Sequence, residues 1–286
     1  MITSEPAGSN AGATFEHFVL TRFNVRNRYY AGNPGDIWLR SRLALFEKYT
    51  AASFGAQTVK DFRWLVLVDS ESPQWFRAEL GVLGRELFEI VDIKGAFNAQ
   101  AAAGVVASRL RTPFILTTRV DNDDAVARDF IESIQRAWRP VHQPYFINLV
   151  KGAQLADGRV YRRPYTQNPF VTLSEPRSAD GLATVFVRRH YEVQAYAPVT
   201  NVGSDHPLWL QVIHGGNVLT ELVGMRTRAR AVEPWFACDL GARDRPLEFA
   251  REVMSGTARI ALRLALKPRR VVNLGRALVA RPIREP

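Results

Sequence analysis

Phe114-Ile-Leu-Thr-Thr-Arg-Val-Asp-Asn-Asp-Asp124 passes from a run that suits a buried strand, residues 114–120, directly into four polar residues. Pro113 opens the run and Asp121 stops it, which is how a short strand buried on both faces reads in sequence. Downstream, Val126, Phe130, Ile134 and Trp138 recur at four-residue steps, so a helix is expected there, closed by Pro140. Upstream, the same alternation occurs three more times. Strands are expected at residues 17–23, 62–68 and 88–93. Between them, Leu39, Leu43 and Phe46 share one helix face within 38–49, Phe76, Leu80, Leu83 and Leu87 another after Ser72-Pro73, and Ala102, Val106 and Leu110 a third within 98–110. Four strand-helix alternations predict an α/β fold, a Rossmann-type mostly parallel sheet with helices on both faces. Ligands of such sheets bind outside the carboxyl ends of the strands.

The second half has a different texture. Residues 144–150, 170–173 and 183–187 are strand-like and separated by loops rich in Gly, Pro and Arg, so a mixed region appended to the sheet is expected. Trp209 and Ile213 stand four apart and predict a short helix ended by His214, Gly215 and Gly216. From Glu248 the chain is again helix-like, with Arg259, Arg263 and Lys267 at four-residue steps until Pro268 interrupts. The expected organisation is a loose tail at 1–14, one domain at 15–250 and a basic helical extension at 251–286.

Composition narrows the function classes. The 286 residues are 47% hydrophobic, which excludes a low-complexity or mostly disordered chain. Lys and Arg number 38 against 28 Asp and Glu, a net charge of +10. Nine of those basic residues and only two of the acidic ones lie in 251–286, so the body is nearly balanced and the tail carries the charge. The aromatics sit within apolar runs, and the basic, aromatic-lined groove of a nucleic-acid binder is not visible. The single cysteine, Cys238, excludes an intrachain disulfide, and no Cys/His spacing suits zinc. With no signal peptide and no apolar window of about 18 residues, a cytoplasmic location is expected. Leu262, Leu264, Leu266, Val271 and Val272 lie among the tail's charges, and such a segment suits peripheral contact with an anionic inner leaflet.

The polar residues after the strands are where chemistry is expected. In extended backbone Asp121 and Asp123 project to the same side and can face one cation or diphosphate, with Asp124 beside them. The competing reading is the cap of the following helix. Asp69, ending its strand, can accept hydrogen bonds from a nucleobase or ribose, or begin a turn. Arg22, Asn24 and Arg26 follow the first strand and suit phosphate or sugar hydroxyls. His214 offers an imidazole to complete an O/N shell for Mn2+ or Mg2+, or else ends a helix. Asp205, ahead of His206 and Pro207, is a candidate general base or a helix cap. There is no Gly-rich phosphate loop and no Ser nucleophile elbow, and Ala125 stands where a haloacid-dehalogenase-type phosphatase carries Thr.

Taken together, His17-Phe-Val-Leu-Thr-Arg-Phe-Asn24, Trp64-Leu-Val-Leu-Val-Asp69, Asp121-Asn-Asp-Asp124 and Trp209-Leu-Gln-Val-Ile-His-Gly-Gly-Asn217 resemble the GT-A class of nucleotide-sugar glycosyltransferases. The chain is most similar to the bacterial family called "putative rhamnosyltransferases", over about residues 16–225. The resemblance implies transfer of a sugar from a nucleoside diphosphate donor to a glycan or other acceptor hydroxyl. It implies that Asp69 contacts the nucleoside, that Asp121 and Asp123 hold metal and diphosphate with Asp124 as the alternative second carboxylate, and that His214 is the late metal ligand. Arg22, Asn24 and Asn122 complete the donor side. Asp205 substitutes for a catalytic Glu-Asp pair that is absent before Trp209, and inversion is the expected stereochemistry. A nucleotidyltransferase is the enzymatic alternative and a basic nucleic-acid-binding protein the non-enzymatic one.

Overall fold

The computed structural model describes residues 14–27, 34–215 and 221–266, with Gly275, Val279 and Ala280. The expected loose tail up to residue 13, Asn217, Lys267, Pro268, Val271, Val272 and the side chains of 257–266 lie outside the described residues.

In chain order the elements are β1 (Phe15–Arg22), α1 (Asp36–Leu45), which continues through a π-helical turn at Phe46–Ala51 into α2 (Ala52–Gly55), β2 (Arg63–Asp69), α3 (Gln74–Gly84), β3 (Glu89–Ile93), α4 (Ala99–Ala107), β4 (Phe114–Arg119), β5 (Ala125–Val126) and α5 (Phe130–Ala137). Then come β6 (Tyr145–Leu149), β7 (Lys151–Ala156), β8 (Arg159–Pro164), β9 (Thr172–Pro176), β10 (Val199–Val202), β11 (Trp209–Ile213), β12 (Met225–Thr227) and α6 (Pro246–Leu266).

The larger sheet has seven strands in the order β10-β6-β9-β4-β1-β2-β3. All run the same way except β9, which lies antiparallel between β4 and β6. This is the mostly parallel, helix-flanked sheet of the GT-A-like expectation. Strand alternation divides its core: Val19, Val66 and Val68 pack with Leu39, Phe76 and Ile134 on one face, while Phe18, Leu20, Leu65 and Leu67 pack with Val106 on the other. Buried side chains on both faces produce the unbroken apolar runs of the sequence.

The smaller sheet has five strands in the order β12-β8-β7-β11-β5. Here the sequence reading needs correction. Residues 209–213 form a strand, not a helix: Trp209 pairs with Gly152 on β7 and with Val126 on β5. A four-residue spacing over five residues does not separate the two periods. Trp209 stacks on Phe170 at 5.0 Å and donates its indole N–H to Leu149 O at 2.8 Å. A Cβ on Gly152 would lie 2.1 Å from that indole, so glycine is what lets β7 pass it. Residues 183–187, expected as a strand, are a turn whose backbone N–H groups go to side chains: Ala183 and Thr184 donate to Glu175, and Val185 donates to the Thr117 hydroxyl. Val126, expected on a helix, belongs to β5, and α5 starts only at Phe130.

Helix α6 begins at Pro246, so the boundary expected at 250/251 falls inside it. Its first turns are tied to β12, because Arg226 pairs with both Glu252 and Asp244. No helix among the described residues is long and apolar enough to cross a membrane.

Candidate functional site

The carboxyl ends of β2, β1 and β4 lie side by side, since β1 pairs in parallel with both neighbours. Polar residues leaving these strands are therefore gathered at one edge. At the β2 end Asp69 is buried and both of its carboxylate oxygens are engaged: Oδ1 accepts from Glu71 N at 2.9 Å and Oδ2 from Arg26 Nε at 2.7 Å. Asn24 closes the turn from β1. Its Oδ1 accepts from Asp69 N at 3.2 Å and its Nδ2 donates to Ser72 Oγ at 2.9 Å. Asp69 thus begins a turn, and Pro73, without a side-chain cap, precedes α3. Carboxylate oxygens have lone pairs beyond these bonds, so turn formation does not consume the whole acceptor capacity of Asp69.

Residues 121–124 are folded into a turn, not extended, with Asp124 N donating to Asp121 O at 3.4 Å. The carboxylates consequently separate. Asp121 faces Arg119, whose Nη2 donates to Oδ2 at 2.7 Å, and Arg22 at 3.5 Å. Burial alone would raise its carboxyl, but the Arg119 and Arg22 guanidiniums outweigh burial and hold it well below the usual carboxylate range. Asn122 donates to Phe23 O at 3.0 Å, which ties the turn to the end of β1 and uses its amide there.

Asp123 meets a buried partner that sequence gave no means to find: Arg42 of α1, which donates to Oδ2. His214 Nε2 lies 3.0 Å from the same oxygen. Asp124 turns towards the smaller sheet, where its Oδ1 accepts from Val212 N at 2.9 Å, while Thr50 in the π-helical turn donates to its carbonyl. Burial, then the charges of Asp123 and Asp121, push the Asp124 carboxyl well above the ordinary range. None of the cluster caps a helix, because β5 intervenes before α5. Two of these aspartates, Asp121 and Asp123, are paired with three arginines, Arg22, Arg119 and Arg42.

Arg22 also lies over an aromatic platform. Its guanidinium carbon is 5.1 Å from the Phe186 ring and 5.9 Å from Phe97. Phe186 sits on the turn held by Glu175 and Thr117, in which Thr184 has a φ of 57°, a left-handed value costly for a β-branched residue. No periodicity announces such a turn.

Asp205 is not brought to this edge. It is exposed and precedes β11, whereas His214 follows it, and the five residues between at ~3.3 Å each put the two ends roughly 16 Å apart. Its neighbour His206 bonds Asp129 at 2.9 Å and stacks on Trp235, and no helix begins there for Asp205 to cap.

Among the described residues the arrangement suits a cation in one place. Neighbouring ligand atoms around an octahedral Mg2+ or Mn2+ are roughly 3 Å apart, given metal–oxygen distances of about 2.1 Å. Asp123 Oδ2 and His214 Nε2, at 3.0 Å, have that spacing and the O/N chemistry that manganese accepts. Among the described residues no group of three or more His, Cys, Asp or Glu side chains is placed to hold a metal, so the remaining positions would fall to water or to a substrate's oxygens.

Solved structures similar to the chain are distant. The inositol-1-phosphate CTP transferase from T. maritima has 11% identity and a TM-score of 0.37, over 72% of this chain and 92% of that one. S. aureus TarS 1–349 in complex with UDP has 12% identity and a TM-score of 0.38, over 69% of this chain and 60% of that one. No curated protein sequence matches significantly. A family model does: that described as "Putative rhamnosyl transferase" matches residues 26–226, from the turn after β1 through most of β12, and so takes in the strands of both sheets other than β1 and the 121–124 turn between them. The chain belongs to this glycosyltransferase family.

Proposed function

We propose that the protein moves a sugar, rhamnose in the reading the family favours, from a nucleoside diphosphate donor to an acceptor hydroxyl, with Mn2+ or Mg2+ and with inversion. The observation that carries this reading is the meeting of Asp123 from the larger sheet with His214 from the smaller at ligand spacing. Asn24, after β1, lies one strand away on the same edge and Asp69, ending β2, two strands away. In this reading Asp69 orients the nucleoside by accepting hydrogen bonds from ribose or base, and Arg22 and Arg119, already beside the cluster, meet the diphosphate. Asp123 and His214 hold the ion, which when bound neutralises charge on the departing diphosphate. Arg42 holds Asp123 in place from α1 and keeps the buried carboxylate compensated. Inversion is part of this reading because, among the described residues, the carboxylates at the site are engaged by arginines, by His214 or by backbone N–H groups and none is assigned as a nucleophile. The basic extension, with Met254 exposed near its start, is proposed to touch anionic membrane.

The test is release of nucleoside diphosphate from a panel of dTDP-rhamnose, UDP-glucose, UDP-N-acetylglucosamine and GDP-mannose, with Mn2+, with Mg2+ and with chelator. The expected result is metal-dependent turnover of one donor, lost in Asp123→Asn and His214→Gln, and an inverted anomeric centre by NMR. Turnover unchanged by chelator contradicts the metal, and retention contradicts the stereochemistry. Sedimentation with anionic vesicles tests the membrane contact, which should weaken with salt and vanish when residues 257–286 are removed.

A further inference from the structure

The reaction needs a group to take the acceptor proton, and the acidic residues at the site are poorly suited to it. Asp69 and Asp121 are paired with arginines, Asp123 with Arg42 and His214, and Asp124 with a backbone N–H. The arginines hold the Asp121 carboxyl low, Asp69 and Asp123 have their oxygens engaged, and Asp124, although its carboxyl is raised, is buried and turned to the backbone of β11. Asp205 is at the far end of β11.

His190 is placed differently. It lies between β9 and β10, four residues beyond Phe186, whose ring lies under the Arg22 and Arg119 guanidiniums. Its Nδ1 is 2.5 Å from Gln167 O, and a carbonyl oxygen only accepts, so Nδ1 carries the proton and the neutral ring has its lone pair on Nε2. The carbonyl that fixes this tautomer is itself held rigidly. Asn168 donates to Asn148 Oδ1, Leu149 O and Tyr165 O, and Tyr165 N donates to Val150 O, which stitches the 165–168 turn to the end of β6. Tyr191 stands edge-on to the imidazole at 5.2 Å.

The charged groups facing the ring come from both sheets: Arg119 at the end of β4, Asp121 after it, and Arg163 on β8. Arg163 is anchored by donating to Gln211 of β11 at 2.5 Å and lies over Tyr165. The charges of Arg119 and Asp121 thus reach His190, on the segment whose Phe186 ring lies under the Arg22 and Arg119 guanidiniums. Burial first, and then Arg119, lower its pKa to about 4, so the ring is neutral at physiological pH.

We propose that His190 is the general base of the transfer, taking the acceptor proton on Nε2. This rests on the glycosyltransferase reading above and supplies the residue that reading lacks. As the acceptor oxygen bonds to the anomeric carbon, its O–H bond breaks and the proton passes to Nε2, while the bond from the anomeric carbon to the diphosphate oxygen breaks and its electron pair leaves with the diphosphate. The imidazolium then returns its proton to solvent. The Gln167 carbonyl stabilises that cation through Nδ1–H, in the manner of a carboxylate behind a catalytic histidine but without its charge.

In His190→Asn the amide nitrogen keeps the bond to Gln167 O and removes the base. Turnover of the donor, measured as nucleoside diphosphate release from the four-sugar panel with water as acceptor, should fall 10²- to 10⁴-fold, the usual range for general-base loss. Binding of UDP, dTDP and GDP should stay within about 2-fold of wild type, and imidazole added to His190→Gly should restore part of the rate. In Arg163→Gln, which removes a positive neighbour, the acid limb of the rate profile should move to higher pH. Independently of any donor, 15N NMR of labelled imidazole at pH 7 should find Nδ1 protonated and Nε2 bare. A protonated Nε2, or a His190→Asn rate within a few-fold of wild type, overturns the assignment while leaving the family reading intact. A wild-type protein that turns over no donor overturns both.

Discussion

The two sheets differ in how they are built and in what they bring to the site. The larger is parallel apart from β9, buried on both faces, and supplies Asp69, Asn24, Arg119 and Asp121 from the carboxyl ends of consecutive strands. The smaller is mixed and supplies Arg163, Gln211 and His214 from β8, from β11 and from the end of β11. Residues 121–124 are the joint. Asp121 closes the larger sheet, Asp123 meets His214, and Asp124 accepts from the backbone of β11. A parallel α/β sheet alone would offer half a site. The second sheet brings the His214 imidazole and, in the proposed function, the acceptor side to the edge where the first has gathered its carboxylates.

The joint should break hardest. Arg42→Ala leaves Asp123 buried without its guanidinium, and removing one partner of a buried pair costs about 3–5 kcal/mol. Urea unfolding should show that loss, and the double variant Arg42→Ala, Asp123→Asn should lose less than the sum of the singles, because the orphaned charge is gone.

The larger sheet has its own pH signature, away from the site. His17 on β1 is buried, bonded to Thr118 at 2.7 Å, and burial pushes its imidazole down to about 3. The unfolded chain, with a pKa of about 6.5, takes up that proton first, so stability falls as pH drops from about 6.5 towards 3. At about 1.4 kcal/mol per pH unit, this group should cost about 3 kcal/mol by pH 4. In His17→Gln the slope of stability against pH should be shallower over that window. An unchanged slope means that another group carries it.

The smaller sheet should yield at Gly152. Gly152→Ala puts a methyl into the Trp209 indole and should cost about 1–3 kcal/mol, as overpacking does, with weaker metal-dependent nucleotide binding because His214 follows β11. At Gly81 in α3 a Cβ meets nothing within 4 Å, so Gly81→Ala should change stability by under about 1 kcal/mol and in the favourable direction. Thermal melts of the pair separate a glycine required by a neighbour from one that is not.

The same contrast explains what could be read from sequence. The four strand-helix units showed themselves because strands buried on both faces leave unbroken apolar runs, and the helices between them keep a stripe. In the smaller sheet β7 reads Lys-Gly-Ala-Gln-Leu-Ala and β8 Arg-Val-Tyr-Arg-Arg-Pro, with little alternation, and β11 is too short for its period to be decided. Asp69, Asp121–Asp124 and His214 stood out because strand ends and sharp turns mark where ligands bind. Arg42 and His190 did not, because their partners lie 81 and 23 residues away. Asp205 attracted attention as a carboxylate ahead of His206 and Pro207, and the strand at 209–213, where a helix was expected, sets it apart from His214 by the length of β11.

The central claim is that the two sheets jointly build one metal-dependent nucleotide site. Calorimetric titration of UDP, dTDP and GDP, each with and without Mn2+, against wild type, Asp123→Asn and His214→Gln tests it most directly. The account predicts that one nucleotide binds wild type only with the metal, and that either substitution, one on each sheet, removes the metal's effect. Binding that ignores Mn2+, or that survives His214→Gln unchanged, would contradict it.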